Sequence, residues 1–120
     1  MRVAVVADIH ANLAAFEAVA GDWGAVDEVW CLGDVVGYGP DPNECVEKLR
    51  QLRHVCIPGN HEYAALGRVD VADFNPSARA AAEWTAKQLT AESRAYLGAL
   101  KEVERRDPFT LVHGSPASPI

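Results

Sequence analysis

The sequence predicts an α/β fold built around a parallel sheet, and three observations support this prediction. Short apolar runs alternate with segments of helical periodicity along the chain. The first run, Val3 to Ala7, is unbroken and rich in valine, as expected for a parallel strand that is covered on both faces. No repeat, low-complexity tract or linker divides the 120 residues, of which 49% are hydrophobic. We therefore expect one domain over residues 1–120.

Capping residues and apolar runs define the elements of the first half. Asn12 is placed to cap a first helix, which has an apolar side and which Gly21 can end. Asp41 is placed as the N-cap of a second helix, Pro42 to Leu52, with proline at the first position and Glu44 positioned for a capping box. The predicted strands of this half are Val3–Ala7, Val29–Leu32 and Val55–Ile57.

The second half is predicted to be mainly helical before a fourth strand. Asn75 and Pro76 resemble the cap and first position of a helix that reaches Leu89. Thr90 can cap another helix directly after it. The fourth strand is Phe109 to Val112.

The bulk properties of the chain disfavour several classes of protein. A formal net charge of −6 argues against nonspecific nucleic-acid binding, which needs a broad basic surface. The first apolar run is too short to cross a bilayer and lacks the pattern of a signal peptide, so we expect a soluble, cytoplasmic protein with no membrane partner. Cys31, Cys45 and Cys56 form no CxxC pair and are expected to be small core residues rather than disulfides or zinc ligands.

Each predicted strand is followed by a potential metal ligand. Asp8 and His10 follow the first strand, and Asp34, Asn60 and His113 follow the other three. Open parallel sheets gather their sites beyond the carboxyl ends of the strands, so these side chains are expected to converge. Oxygen and imidazole donors together suit borderline divalent ions better than calcium. The sequence therefore predicts a transition-metal centre.

The same residues stand in an ordered set of motifs. They are Asp8-Ile9-His10, Gly33-Asp34, Gly59-Asn60-His61-Glu62 and His113-Gly114. The set resembles the calcineurin-like metallophosphoesterases, whose blocks run D-x-H, G-D, G-N-H with an acid, a later H-G, and finally G-H-x-H. The segment Gly33 to Pro40 further resembles a bacterial branch related to diadenosine tetraphosphatases and serine/threonine protein phosphatases.

The resemblance implies a fold, a cofactor and a set of ligands. The fold is an α/β/β/α sandwich, of which this chain would supply mainly the first sheet and its helices. The cofactor is two divalent metal ions, Mn²⁺ or Fe²⁺/Fe³⁺, with Zn²⁺ or Ni²⁺ as alternatives. By resemblance, Asp8 and His10 bind the first metal, Asn60 and His113 bind the second, and Asp34 bridges both.

The resemblance also implies a reaction. A water activated by the metal pair would attack a phosphomonoester, a phosphodiester or a dinucleoside polyphosphate, so the expected partner is a small phosphate ester or nucleotide. His61 would act as the catalytic residue, by protonating the leaving oxygen or by stabilising its charge. Glu62 either supports the turn at His61 by hydrogen bonds or is a solvated acid. For Tyr38, contact with the leaving group and simple packing both stay open.

The fifth block, G-H-x-H, is absent from the chain, which ends at Ile120. Each metal would then lack one histidine, which water or a neighbouring chain would replace. We therefore expect the N-terminal part of a longer protein, with a domain that is incomplete at its C-terminus. The unmatched hydrophobic face of a half-sandwich favours pairing into a homo-oligomer.

The sequence leaves one alternative open and disfavours two other functional classes. A catalytically impaired binding or regulatory module with the same fold stays open as the alternative, because one block is missing. Nucleotide binding on a Rossmann-like sheet is disfavoured, since it needs a glycine-rich turn where this chain has Asp8-Ile9-His10. A phosphatase with an aspartyl-phosphate intermediate is disfavoured, since a second acid is expected where His10 stands.

Overall fold

The structure is a computed structural model that describes residues 1–120. Its strands are β1 (Val3–Val6), β2 (Glu28–Cys31), β3 (His54–Cys56), β4 (Glu104–Arg106) and β5 (Phe109–Leu111). Its α-helices are α1 (Leu13–Asp22), α2 (Pro42–Gln51), α3 (Asn60–Ala65), α4 (Pro76–Gln88) and α5 (Ala91–Gly98), and Val71–Asp73 form a 3₁₀ turn. The predicted α/β class is confirmed. None of the helices has both the length and the apolar character that crossing a bilayer requires.

The central sheet has three parallel strands in the order β1-β2-β3. Val3 pairs with Glu28 and Val29 pairs with His54, so the three strands begin at nearly the same level in the sheet. Parallel pairing places the three carboxyl ends, and the loops that follow them, at one edge of the sheet. This edge carries the candidate functional residues.

The two faces of β2 contribute to two different clusters of the core. Val29 and Cys31 pack with Phe16 of α1 and Leu49 of α2 on the helical side of the sheet. Trp30 points to the opposite face, because successive side chains of a strand alternate between faces. All three cysteines are free and buried, which confirms the prediction that they are core residues.

The face of β1 that carries Val5 is only partly covered within this chain. This side chain is 56% exposed, and β1 is an edge strand with a partner on one side only. Val5 pairs with Trp30, so both lie on the face opposite the helices, where β5 supplies Leu111. An unbroken apolar run in the sequence indicates a strand, but it does not show whether another element covers that strand.

Helix capping follows the sequence prediction at three of four positions. The side chains of Asn12, Asn75 and Thr90 each accept a hydrogen bond from a backbone N–H in the first turn of the following helix. Asp41 stands at the N-cap of α2 with proline after it, but its side chain makes no capping bond. The predicted capping box with Glu44 is therefore wrong, and Pro42 supplies the helix start at this position.

The sequence prediction missed the strand β4 and the short helix α3. The predicted fourth strand, β5, is present, but it pairs antiparallel with β4 and does not join the parallel sheet. β4 consists of charged residues, so it carries no apolar alternation that would indicate a strand. The short helix α3 contains Asn60 and His61, for which the sequence analysis gave no helix, and its six residues are too few for a helical period to be visible.

Candidate metal centre

The loops after β1, β2, β3 and β5 bring the predicted ligands to one region of the surface. Two groups of side chains have ligand atoms that all lie within 4.8 Å of one another. The first group is His10, Asp34 and His61, and the second is Asp8, Asp34 and His113. Asp34 belongs to both groups, so a single carboxylate links the two halves of the cluster.

One oxygen of Asp34 faces two imidazoles. Its Oδ2 atom lies 3.6 Å from His10 Nε2 and 3.4 Å from His113 Nε2. The other oxygen, Oδ1, accepts a hydrogen bond of 3.0 Å from the backbone N–H of His61. Asp34 is 4% exposed, so the protein rather than the solvent surrounds this carboxylate.

Main-chain carbonyls orient the two imidazoles. The Nδ1 atom of His10 lies 3.0 Å from the carbonyl oxygen of Val36, and that of His113 lies 2.7 Å from the carbonyl oxygen of Leu32. A carbonyl only accepts hydrogen bonds, so Nδ1 carries the proton and donates it. In the neutral ring, Nε2 then presents a lone pair toward Asp34, as in metal-binding histidines.

This donor set fits divalent cations. In the neutral tautomer that the carbonyls select, two Nε2 lone pairs face one carboxylate oxygen at 3.4 to 3.6 Å and repel it. A positive charge between these atoms removes their repulsion, and mixed nitrogen and oxygen donors suit manganese, iron, zinc or nickel. His61 adds a buried Nδ1 atom that has no hydrogen-bond partner, a condition that is rare for buried polar atoms.

The backbone at the site adopts unusual conformations. Five non-glycine residues have positive φ angles: Asp8 at 56°, His10 at 48°, Ala11 at 54°, Asp34 at 58° and Tyr38 at 64°. Hydrogen bonds hold the two loops together, from the N–H of Asp8 to the carbonyl of Gly33 at 2.9 Å and from the N–H of His10 to that of Asp34 at 2.9 Å. Each left-handed residue costs about 1–3 kcal/mol and persists only where the surroundings hold it.

Glu62 is a fully buried acid that supports the site. Its two oxygens accept hydrogen bonds from the backbone N–H groups of Asp34 at 2.6 Å, Gly59 at 2.8 Å and Val36 at 3.1 Å. Burial raises the pKa of Glu62 to about 8, while the three amide donors act in the opposite direction. Of the two roles that the sequence left open, hydrogen-bonded support is the correct one.

Gly59 allows the backbone after β3 to approach Asp34. A Cβ atom built at this position would collide with Asp34 Oδ1, and it would lie 2.7 Å from the backbone nitrogen of Asp34. Gly59 has an extended conformation that any residue adopts, so space rather than φ requires glycine here. The close approach lets the first turn of α3 donate to Asp34 and brings Glu62 beneath it.

His61 lies in a ring of aromatic side chains. Tyr38 and Phe74 have ring centroids 4.8 and 5.3 Å from that of His61, and His10 lies at 4.8 Å. Burial lowers the pKa of His61; Asp34 opposes this shift, and the imidazoles of His10 and His113 add to it. Phe74 was missed by the sequence interpretation, since an aromatic residue before a predicted cap has no pattern that links it to a site.

The assignment of ligands to individual metals stays a prediction. The structure groups Asp8 with His113 and His10 with His61, whereas the resemblance paired Asp8 with His10 and left His61 without a metal. Asn60 is the first residue of α3 and is partly buried beside His61.

Comparison with known proteins adds three similarities. The family model described as "Calcineurin-like phosphoesterase" matches residues 1–117. "Uncharacterized protein MJ0912" of Methanocaldococcus jannaschii is 42% identical over 100 residues, which are 82% of this chain and 41% of that protein. A symmetrical bis(5'-nucleosyl)-tetraphosphatase of Pseudomonas putida is 45% identical over 40 residues, which are 32% of this chain and 14% of that protein.

A solved structure has the same fold over this whole chain. The metallophosphoesterase from Sphaerobacter thermophilus superposes with a TM-score of 0.87 at 50% identity, over 100% of this chain and 49% of that one. The chain therefore spans about half the length of the first two relatives that it matches, at 41% and 49%.

Proposed function

The chain belongs to the calcineurin-like phosphoesterase family, and from this premise we propose that it hydrolyses phosphate esters at the cluster around Asp34. The observation that carries the proposal is the position of Asp34 Oδ2 between two imidazoles, 3.6 Å from His10 and 3.4 Å from His113. A shared carboxylate of this kind suits a site that holds two cations close together. Asp8, His10, Asp34, Asn60 and His113 are the proposed ligands.

The protein side chains have defined tasks in this proposal. When bound, two divalent cations supply positive charge for the phosphoryl oxygens and lower the pKa of a water molecule. Asp34 offsets the repulsion between the cations, because its carboxylate is common to both groups of donors. Val36 and Leu32 fix the tautomers of His10 and His113, so that both Nε2 atoms stay available.

His61 is the proposed catalytic residue. Its ring is packed against other aromatic rings, and its Nδ1 atom has no partner in the protein. A ring that these contacts hold in place is suited to act on a phosphoryl oxygen or on the leaving oxygen.

The proposed substrates are phosphomonoesters, phosphodiesters or dinucleoside polyphosphates. The similarity to a symmetrical bis(5'-nucleosyl)-tetraphosphatase supports the last class, and it covers only 32% of this chain. Manganese or iron is the proposed metal pair, with zinc or nickel as alternatives, because the donors mix imidazole nitrogen with carboxylate oxygen. The cytoplasmic location, the single-domain boundary and a homo-oligomeric state stay predictions from the sequence.

The experiment that tests the proposal combines metal analysis with a panel of esters. We expect the purified protein to contain transition metal, and to hydrolyse p-nitrophenyl phosphate, bis(p-nitrophenyl) phosphate or diadenosine tetraphosphate when Mn²⁺ is present. Chelation should abolish turnover and added Mn²⁺ should restore it, because the cations supply the electrostatic stabilisation of the reaction.

Two results would count against the proposal in different ways. Hydrolysis that resists chelation would contradict a metal-dependent site. Bound metal without turnover of any ester would favour the alternative, a catalytically impaired binding or regulatory module with this fold.

Replacement of His61 should separate catalysis from metal binding. We expect His61→Gln to lower kcat about 100-fold, the effect of losing a proton donor or acceptor in the transition state. Metal content, measured by elemental analysis, should stay within the error of the wild type. His54→Gln is the matched control, because His54 is bonded to Leu52 and Tyr96 outside the cluster. Loss of bound metal in His61→Gln would instead identify His61 as a ligand.

A further inference from the structure

Tyr38 lies on the outer side of the candidate metal centre, in contact with two of its imidazoles. Its ring centroid is 5.0 Å from that of His10, with an edge-on arrangement of 81°, and 4.8 Å from that of His61 at 40°. The side chain is nevertheless 51% exposed. One side of the ring therefore covers the metal centre, while another side is free to contact a ligand.

The backbone holds Tyr38 in this position against a conformational preference. Its φ angle of 64° lies in the left-handed region, which non-glycine residues rarely adopt. Gly39 donates its N–H to the carbonyl of His10 at 3.0 Å. A Cβ on Gly39 would collide with that carbonyl and would lie 2.7 Å from the carbonyl oxygen of Ala11. Simple packing of an aromatic ring does not require a strained backbone, and such strain concentrates at functional sites.

A cavity opens beside the Tyr38 ring. It has a volume of about 740 Å³, which is within the range of small-molecule sites. Asp8 and His10 line it next to Tyr38, and apolar residues such as Phe16 and Val19 line it farther away. The lining is mixed, with the polar residues Asp8, His10, Asn12 and Asp41 among mainly apolar ones. Such a lining can accommodate both a charged phosphoryl group and an apolar body.

From this arrangement we propose that Tyr38 is a specificity-determining residue, which stacks on a planar aromatic leaving group of the phosphate ester. The inference rests on the proposed function, because it assumes that the phosphoryl group reaches Asp8 and His10. An ester group attached to that phosphoryl group then extends along the exposed side of the Tyr38 ring. Two aromatic rings that lie along each other in this way are stabilised by offset stacking. Nucleobases and aryl groups can both stack on a tyrosine ring.

Inert analogues test this inference without any turnover. We expect the wild-type protein to bind phenylphosphonate about 10-fold more tightly than ethylphosphonate, which corresponds to the lower part of the range for one stacked base. The dissociation constants would be measured by calorimetry, with and without Mn²⁺. Tyr38→Phe should keep the preference, because it keeps the ring. Tyr38→Leu should reduce the preference to within about 2-fold, since no ring remains to stack.

The control variant is Trp84→Leu, which removes an aromatic ring that is 43% exposed on α4. This variant should keep the preference for phenylphosphonate. In Tyr38→Leu, the affinities for the two phosphonates could instead fall by the same factor. This result would show that Tyr38 only positions the histidines, and it would overturn the inference. Equal binding, or no binding, of the two analogues by the wild type would overturn it as well.

These outcomes separate the inference from the proposed function. Phosphonates are not hydrolysed, so a Tyr38-dependent preference in a protein that cleaves no ester would contradict the proposed function alone. Metal-dependent cleavage of esters by a protein without that preference would overturn only the role of Tyr38.

Discussion

Asp34→Asn should lose the proposed metal binding and, with it, the proposed phosphoesterase activity. The substitution keeps the shape of the side chain, and its carbonyl oxygen can still accept the hydrogen bond from the His61 N–H. It removes the negative charge that lies between His10 and His113. We expect metal affinity to fall by more than about 100-fold. Mutation of a residue that only hydrogen-bonds to a metal ligand already lowers metal affinity by about 10–100-fold. Turnover of every ester should fall with the metal content.

Thermal unfolding gives a readout of this prediction that does not depend on activity. A cation that binds only the folded state raises its stability by about 2.7 kcal/mol at 100 times its dissociation constant. Added Mn²⁺ should therefore raise the Tm of the wild type and leave that of Asp34→Asn unchanged. Asp22→Asn, at the exposed end of α1, is the matched control and should behave as the wild type does. An Asp34→Asn protein that keeps the Mn²⁺-dependent rise in Tm would contradict the role of Asp34 as a shared ligand.

Glu62→Leu should be the most destabilising single substitution that we predict. The leucine removes the acceptor of three buried N–H groups, those of Asp34, Val36 and Gly59. Each unsatisfied donor costs about 1–3 kcal/mol, so the sum approaches the whole free energy of unfolding of a typical domain. We expect little folded protein, measured by soluble yield and by circular dichroism.

Glu62→Gln is a milder substitution, and its effect on the free energy of unfolding can be measured in solution. Glutamine keeps one acceptor oxygen but places an NH₂ group against a backbone donor, so we expect a loss of about 3 kcal/mol in urea unfolding. Glu47→Gln and Glu47→Leu, on the exposed surface of α2, are the controls and should change stability by less than about 0.5 kcal/mol. A Glu62→Gln protein as stable as its control would show that the three hydrogen bonds contribute little.

The buried acid also connects stability with the site. Glu62 bonds to the backbone of Asp34 and of Gly59, whose close approach to Asp34 excludes any side chain at position 59. A change at Glu62 should therefore reach the candidate metal centre through the backbone rather than by contact with a ligand side chain. This link explains why an acid with no free oxygen for a substrate stands next to His61 in the motif.

Local sequence signals were sufficient for much of the fold. Asn12, Asn75 and Thr90 cap the helices that were predicted to follow them, because a cap depends on residues one turn apart. The three parallel strands were predicted from their apolar runs. Local signals failed where an element had no apolar period, as in β4, or was shorter than two turns, as in α3.

The sequence by itself determined that Asp8, His10 and Asp34 would meet, because parallel strands leave their carboxyl ends at one edge, whereas His113 reaches them from β5, which lies outside that sheet. Only the tertiary structure decided how they meet. The carbonyls of Leu32 and Val36 orient the two imidazoles on one oxygen of Asp34, and Glu62 is buried beneath it. These contacts join residues that are 26 to 81 positions apart, and a distance through space at such separations has no trace in a local pattern.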